Sequence, residues 1–192
     1  MKAVDVICRV AEILGDNELD SIITKKQAGE ELSTKEEKRL SRAINGLNIA
    51  VDTICSRYYS CSKTVQAISD NDAKVSYKSL ASRVYEIEEV TTVVGEKVEF
   101  YALPFSVYLP ASNCAYNFKI KVLPTRVTAI GDEVEVMPFI DDVTIAYLMI
   151  SDIMLSVSSF DESKFWFSKF EERMIEILSR RRTRFLAVKR LI

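Results

Sequence analysis

The sequence predicts an α+β fold: a helical bundle built from N- and C-terminal helices, with an inserted antiparallel β-sheet or hairpin region. Glycine and proline together number only nine among 192 residues, which favours long, uninterrupted elements. Apolar residues recur at helical spacing towards both ends of the chain and alternate with polar residues in the middle. We therefore predict a helical core from residues 1–72 and 138–180, a β insertion at residues 73–137 and a basic C-terminal tail at residues 181–192.

The first element is a helix over residues 4–14, because Val6, Val10, Ile13 and Leu14 share one face. Gly15 follows it and is suited to the left-handed position that ends many helices. Leu19, Ile22 and Ile23 then predict a second, shorter helix that fades before residue 31.

The third helix has the clearest signal in the chain. Ser33 and Glu36 have the spacing of a capping box, in which each side chain bonds the backbone N–H of the other residue. The apolar residues that follow recur at intervals of three and four, which predicts one buried seam: Leu40, Ile44, Leu47, Val51, Ile54 and Tyr58. Gly46 lies inside this helix and is either tolerated there or permits a close helix crossing. We expect helical structure to continue to about residue 68.

From about residue 74 to residue 137 the period changes to two, as in strands. The strongest alternation places Tyr116, Phe118, Ile120 and Val122 on one face. Residues 105–109 and 116–122 are predicted to pair as a hairpin around the loop 110–115. Val134 and Val136 predict a last short strand before Pro138 ends the zone.

Two helices complete the core. Asp141 or Asp142 is placed to cap a helix that reaches about residue 156 and is apolar on nearly every side. The final helix carries a stripe that we assign to the core rather than to a ligand pocket: Phe160, Phe167, Phe170, Met174 and Leu178.

The residue inventory excludes several kinds of catalysis. Histidine is absent, so Ser-His-Asp and Cys-His arrangements and histidine-bound zinc are impossible. The five glycines are too dispersed for a phosphate-binding loop. Cys8, Cys55, Cys61 and Cys114 form no C-x-x-C pair and are expected to be reduced, buried thiols. We predict no enzyme activity, no catalytic residues, no metal and no cofactor.

Two acidic groups leave a carboxylate enzyme as an alternative. Glu86, Glu88 and Glu89 lie on one predicted strand, and Asp132, Glu133 and Glu135 follow Gly131. Either group has the residue types for general acid–base chemistry or for holding Mg²⁺. The favoured interpretation is a solvated strand face, because charged residues are mostly exposed.

Charge is distributed unevenly along the chain. The last 14 residues contain six basic and no acidic side chains, whereas the other 178 residues contain 20 basic and 28 acidic ones, a net charge of −8. Apolar residues interleave with the basic ones in this tail, which favours docking in an acidic, apolar protein groove over binding to nucleic acid. A solvated helix end that complements the helix dipole remains an equal alternative.

No segment of the sequence is expected to lie in a membrane. Residues 100–118 carry no charge but include Pro104 and Pro110, and residues 143–160 are diluted by serine and threonine. The N-terminal residues lack the apolar stretch of a signal peptide.

In its order of elements the chain resembles the head–tail adaptor (connector, neck) proteins of tailed bacteriophages. The resemblance rests on the capped seam helix from Ser33 to Tyr58, the turn and strand at residues 94–100 with the hairpin strand at residues 116–122, and the segment 138–142 that leads into two C-terminal helices. It covers nearly the whole chain and is one of layout, without a diagnostic motif. The long insertion departs from the minimal all-helical adaptors and is closer to adaptors of short-tailed phages or to a contractile-tail neck.

The resemblance implies a structural virion protein of the neck, assembled in the cytoplasm of the bacterial host. It implies a homo-oligomeric ring of twelve subunits that binds the portal protein on one side and a tail or neck protein on the other. DNA would pass through the ring without sequence-specific binding.

Two sets of contact residues follow from the resemblance. A portal-docking tail comprises Arg180, Arg181, Arg182, Arg184, Phe185, Leu186, Val188, Lys189, Arg190, Leu191 and Ile192. A loop that contacts the tail or a neighbouring subunit comprises Pro110, Ala111, Ser112, Asn113, Cys114 and Ala115. The alternatives are a tail terminator or completion ring and, in another class, a DNA-binding regulator with a basic tail.

Overall fold

The computed structural model describes the backbone of residues 1–188 and the side chains of residues 1–179. Within that range six helices and six strands form an α+β fold with helices at both ends, as the sequence predicts. The helices are α1 Ala3–Leu14, α2 Asn17–Gln27, α3 Thr34–Arg57, α4 Tyr77–Leu80, α5 Asp142–Ser156 and α6 Phe160–Val188. The strands are β1 Cys61–Ile68, β2 Lys74–Ser76, β3 Val84–Thr92, β4 Tyr101–Ala102, β5 Ser106–Tyr108 and β6 Ala115–Val122.

The chain divides into two compact units. One contains residues 1–53 together with the residues from 126 onward, and the other contains residues 54–125. Both ends of the chain therefore build the helical unit, and the β unit is an insertion between them.

The N-terminal helices of the helical unit follow the predicted signals. Gly15 ends α1 with a φ of 64°, the left-handed conformation that favours glycine. Asp16 caps α2 by accepting a hydrogen bond from the backbone N–H of Leu19 at 3.0 Å. The Asp16 carboxylate also accepts a hydrogen bond from Arg39 Nη2 of α3, at 2.6 Å. This ion pair links the start of α2 to α3.

The capping box of α3 is confirmed, and its seam is confirmed from Leu40 to Ile54. The seam prediction was wrong at Tyr58, because α3 ends at Arg57 and Tyr58 is only half-buried. The Ser33 N–H donates to Glu36 Oε2 at 2.8 Å, and the Glu36 N–H donates to Ser33 Oγ at 3.4 Å. Leu40, Ile44, Leu47, Val51 and Ile54 are all buried. A Cβ at Gly46 would meet only Met149 Cε of α5, at an ordinary contact distance of 3.8 Å. Gly46 is therefore tolerated in the helix, and the packing of α3 does not require a glycine at this position.

Helices α5 and α6 pack as an antiparallel pair. Buried Ser151 on α5 donates from Oγ to the backbone carbonyl of Ser163 on α6 at 3.0 Å. Phe170 and Met174 are buried as predicted. Phe160 is not part of the core, because 59% of its surface is exposed. The predicted core stripe of α6 was wrong at that position, because the first turn of α6 turns Ser163 towards α5 and leaves the Phe160 side chain uncovered.

The β unit consists of two antiparallel three-stranded sheets, with strand orders β1-β6-β3 and β2-β5-β4. Both sheets contribute side chains to one apolar cluster. The alternation predicted for β6 is confirmed, because Tyr116, Phe118, Ile120 and Val122 are buried in that cluster. A six-strand unit of this size buries its own core, which is why it separates from the helices as a compact unit.

The structure corrects three predictions about the β zone. Residues 61–68 form β1 and are not helical, so strand structure begins earlier than residue 73. Residues 105–109 and 116–122 do not form a hairpin, because β5 and β6 lie in different sheets. Val134 and Val136 form no strand; nearby Glu133 makes only an isolated bridge with Lys2.

The physical reasons are visible in the pairing. In β1 the half-buried residues are Cys61, Val65 and Ala67, and exposed Lys63 interrupts their alternation, so the strand signal is weak. The loop 110–115 is long enough to cross from one sheet to the other. The segment around Val134 instead binds the N-terminus, where the Val134 N–H donates to the carbonyl of Met1 at 2.9 Å.

Candidate interaction surfaces

The predicted contact loop 110–115 connects the two sheets and lies at the surface. Residues 110–114 are exposed and Ala115 is half-buried. Its backbone is held by Ser69, which is only 2% exposed. Ser69 Oγ donates to the carbonyl of Ala111 at 2.9 Å and accepts from the N–H of Cys114 at 3.1 Å. Hydrogen bonds from buried Ser69 therefore hold the loop backbone, while the side chains of residues 110–114 are exposed to solvent.

Asn113 defines the shape of that loop. Its φ is +55°, a conformation that asparagine tolerates better than most residues. Its Nδ2 donates to Oδ1 of Asn71 at 3.1 Å, and its backbone N–H donates to the carbonyl of Ser69 at 3.1 Å. These hydrogen bonds fix the backbone of the loop, so that its small, weakly polar side chains are exposed at the surface.

The prediction that all four cysteine thiols are buried was wrong for three of them. All four cysteines are free, but only Cys55 is buried. Cys114 is exposed in the contact loop, and Cys8 and Cys61 are half-buried. Burial is the main cause that raises the pKa of the Cys8 thiol, with Asp20, Glu12 and Asp5 adding to it. Cys8 is therefore not activated as a nucleophile.

The acidic strand that offered a catalytic alternative is neutralised by lysines. Lys121 Nζ lies 2.6 Å from Glu86 Oε2, Lys119 Nζ lies 3.1 Å from Glu88 Oε2, and Lys97 Nζ lies 2.8 Å from Glu89 Oε1. The hydrogen bond from Lys119 lowers the pKa of Glu88, so this carboxylate is a poor general acid. The described residues contain no group of three or more cysteine or carboxylate side chains arranged to hold a metal ion.

The second acidic group has a local structural role. Asp132 Oδ2 accepts hydrogen bonds from the backbone N–H groups of Thr128 and Ala129 at 2.8 and 2.9 Å. These bonds lower the pKa of Asp132 and hold the turn that precedes it. Asp132 is thereby occupied in shaping the backbone.

A cleft of about 490 Å³ opens beside β3 within the β unit. Its walls include Tyr77, Tyr85, Phe100 and Leu103. Phe105 stands nearby in sequence with 85% of its surface exposed. This surface was not predicted from the sequence, although Leu103, Pro104 and Phe105 form an apolar connection between β4 and β5.

A second overlooked surface lies where α5 meets α6. Leu155, Val157 and Phe160 are 52%, 66% and 59% exposed. Asp161 and Glu162 follow directly and are also exposed. The sequence signal for this surface is a run of apolar residues on both sides of a turn, and these residues were predicted to belong to the core.

The N-terminus of α5 is linked to two other helices, to α1 through Arg9 and to α6 through Arg173, whose Nη2 lies 2.8 Å from Asp141 Oδ2. Asp141 Oδ1 caps α5 by accepting from the Thr144 N–H at 2.9 Å, and Asp142 Oδ2 accepts from Arg9 Nε of α1 at 3.1 Å. Both aspartates were predicted only as cap candidates. Their ion pairs show that they also hold the helical unit together.

The side chains of the predicted portal-docking tail, residues 180–192, lie outside the part of the chain whose side chains the structure describes. The backbone of α6 extends through Val188, so the first residues of the tail continue that helix. None of the helices within residues 1–188 has both the length and the apolar character needed to span a lipid bilayer.

No protein-family model matches the chain, and no curated protein is significantly similar to it.

Proposed function

We propose that the protein is a structural head–tail adaptor of a tailed bacteriophage, located in the neck of the virion. In this role it forms a homo-oligomeric ring, of twelve subunits by resemblance, between the portal protein and a tail or neck protein. DNA passes through the ring without sequence-specific contacts. The protein acts as an assembly component and not as an enzyme, and it assembles in the cytoplasm of the host.

The observation that carries the proposal is the insertion of a compact β unit between the two segments that build the helical unit. The order of helices, then strands, then helices agrees with the layout on which the resemblance rests, although residues 105–122 form no hairpin and residues 98–100 lie outside the strands. It also separates two contact surfaces by unit: the loop 110–115 belongs to the β unit, and the tail belongs to the helical unit. An adaptor needs two such surfaces, because it binds one partner towards the capsid and another towards the tail.

The exposed apolar surfaces support an assembly role. Phe105, Val94 and Tyr101 are 85%, 87% and 68% exposed. Large apolar side chains concentrated on one small unit are typical of protein contacts. The acidic net charge outside the tail disfavours the DNA-binding regulator, since DNA binding relies on neutralising phosphates with basic side chains.

In this proposal the tail docks on the portal. Each exposed ion pair contributes only about 0.2–1 kcal/mol. The apolar residues Phe185, Leu186 and Leu191 therefore have to supply most of the affinity, and the arginines direct the contact. Ordering the segment costs about 1–2 kcal/mol per residue in backbone entropy, so charge alone cannot hold it.

Electron microscopy of the purified protein mixed with its portal tests the proposal. We expect a ring of additional density beneath the portal and a co-eluting complex in size-exclusion chromatography with light scattering. Rings that form on tail tubes but not on portals would instead favour the tail terminator. Absence of any ring, together with a retarded band on double-stranded DNA at physiological salt, would reject the adaptor in favour of the regulator.

A further inference from the structure

The connection between α5 and α6 forms an apolar, acidic end of the helical unit. We call the exposed residues Leu155, Val157, Phe160, Asp161 and Glu162, together with Asp152, the α5–α6 end. Its three apolar members are each more than half exposed. In water this costs free energy that contact with another surface would recover.

Within the part of the chain whose side chains are described, the acidic members of the α5–α6 end make no ion pair. Asp152, Asp161 and Glu162 form no ion pair with any other residue whose side chain is described. Most carboxylates around α5 do have one: Asp141 pairs with Arg173 and Asp142 with Arg9. Neighbouring side chains partly desolvate Asp152, and this burial raises its pKa. The α5–α6 end thus combines exposed apolar surface with uncompensated negative charge.

The C-terminal part of α6 and the residues that follow it are basic and apolar, which complements the acidic and apolar α5–α6 end. Residues 180–192 contain Arg180, Arg181, Arg182, Arg184, Lys189 and Arg190 with no acidic residue, interleaved with Phe185, Leu186, Val188, Leu191 and Ile192. Between residues 142 and 179 the chain has seven acidic and three basic side chains. Charge and apolar character therefore match between the segment 180–192 and the α5–α6 end.

The length of α6 prevents one copy from making this match with itself. The helix has 29 residues, from Phe160 to Val188, and at 1.5 Å per residue it spans about 43 Å. Residues 189–192, when fully extended, reach about 14 Å beyond Val188. The segment cannot return to the start of its own helix while α6 is intact.

We propose that residues 180–192 of one copy bind the α5–α6 end of a second copy. The basic side chains would pair with Asp152, Asp161 and Glu162, and the apolar residues of the segment would cover Leu155, Val157 and Phe160. This contact joins two different surfaces, so it is head-to-tail and repeats from copy to copy until it closes into a ring or extends as a filament. It concerns the protein in the absence of a portal and does not depend on the head–tail assignment.

Full-length variants with reversed charge test the contact. In the first, Asp161→Lys and Glu162→Lys make the α5–α6 end basic. In the second, Arg180→Glu, Arg181→Glu and Arg182→Glu make the segment acidic. The matched control is Glu30→Lys with Glu31→Lys, which changes the charge equally at exposed residues between α2 and α3.

Sedimentation velocity at low salt, over micromolar to submillimolar concentrations, measures association. We expect the natural sequence and the Glu30/Glu31 control to self-associate and each charge-reversed variant to associate at least about tenfold more weakly. An equal mixture of the two variants should regain association, because a basic end then meets an acidic segment. Phe160→Ser, which keeps the charges, should also weaken association.

Three outcomes would overturn the proposal. The natural sequence could remain monomeric at every concentration, both variants could associate as strongly as the control, or the mixture could fail to regain association although both variants unfold at normal urea concentrations. A failure here would leave portal binding untouched, because no portal is present. Conversely, if charge reversal weakens self-association and mixing the two variants restores it, the contact is supported even if no portal binds the protein.

Discussion

Arg173 Nη2 on α6 donates a hydrogen bond to Asp141 Oδ2, the N-cap of α5, at 2.8 Å. A residue 32 positions away in sequence thereby completes the cap of a helix whose start was predicted from the sequence alone. Burial opposes ionisation of Asp141, but the hydrogen bonds from Thr144 and Arg173 outweigh it and lower the pKa of this carboxyl. One carboxylate thus serves both local helix initiation and the packing of α5 on α6.

Replacing Asp141 should reveal both roles. Asp141→Ala removes the acceptor for the Thr144 N–H and the partner of Arg173, so we expect the free energy of unfolding to fall by about 1–2 kcal/mol. Asp141→Asn keeps a capping oxygen and should lose less than half of that. Urea denaturation followed by circular dichroism measures both variants. Equal losses in the two variants would mean that capping contributes nothing beyond the ion pair.

Stability should decrease as the solution is acidified. The hydrogen bonds from Lys25 and Ser33 lower the pKa of Glu36 from 4.5 to about 2. A folded-state pKa below the unfolded value contributes stability that is complete above about pH 4.5 and is lost as the pH falls towards 2. Glu36→Gln should therefore flatten the pH dependence of the urea midpoint between those values. An unchanged slope in that variant would show that Glu36 is not ion-paired in solution.

Two glycines should respond in opposite directions to alanine. Gly46 lies within α3, where a methyl group meets only Met149 Cε at 3.8 Å, so Gly46→Ala should stabilise the protein by up to about 1 kcal/mol. Gly15 has a φ of +64°, so Gly15→Ala should destabilise it by about 1 kcal/mol. Thermal unfolding of both variants distinguishes them. A decrease in melting temperature for Gly46→Ala would indicate tighter packing of α3 than the structure has.

The contact loop can be altered without deleting it. Removing residues 110–115 would leave buried Ser69 without its hydrogen-bond partners, so that deletion should destabilise the β unit. Ala111→Glu with Ser112→Glu changes only exposed side chains. This variant should unfold at the normal urea concentration but impair tail joining in particles assembled with it. Fully infectious particles containing the variant would refute a contact role for the loop.

Thiol labelling should follow burial. We expect a maleimide to react first with exposed Cys114 and to spare buried Cys55 until the protein is unfolded in urea. Mass spectrometry of tryptic peptides after timed labelling identifies the modified positions. Rapid modification of Cys55 in the native protein would contradict the burial of the α3 seam beside it.

Most of the helical elements could be predicted because their signals are local. The Ser33–Glu36 box, the spacing from Leu40 to Ile54 and the glycine at position 15 act within one or two turns of the chain. The same holds for β6, whose alternation places four apolar residues on one face.

Tertiary structure alone decided which strands pair and which side chains remain uncovered. Whether β5 bonds to β6 or to β2 depends on how two sheets share one core, and no local pattern specifies this. Phe160 has the helical spacing of a core residue, yet it is exposed because no other element of the described chain covers its side chain. Periodicity determines which face of an element is apolar, but burial depends on what the rest of the chain places against that face.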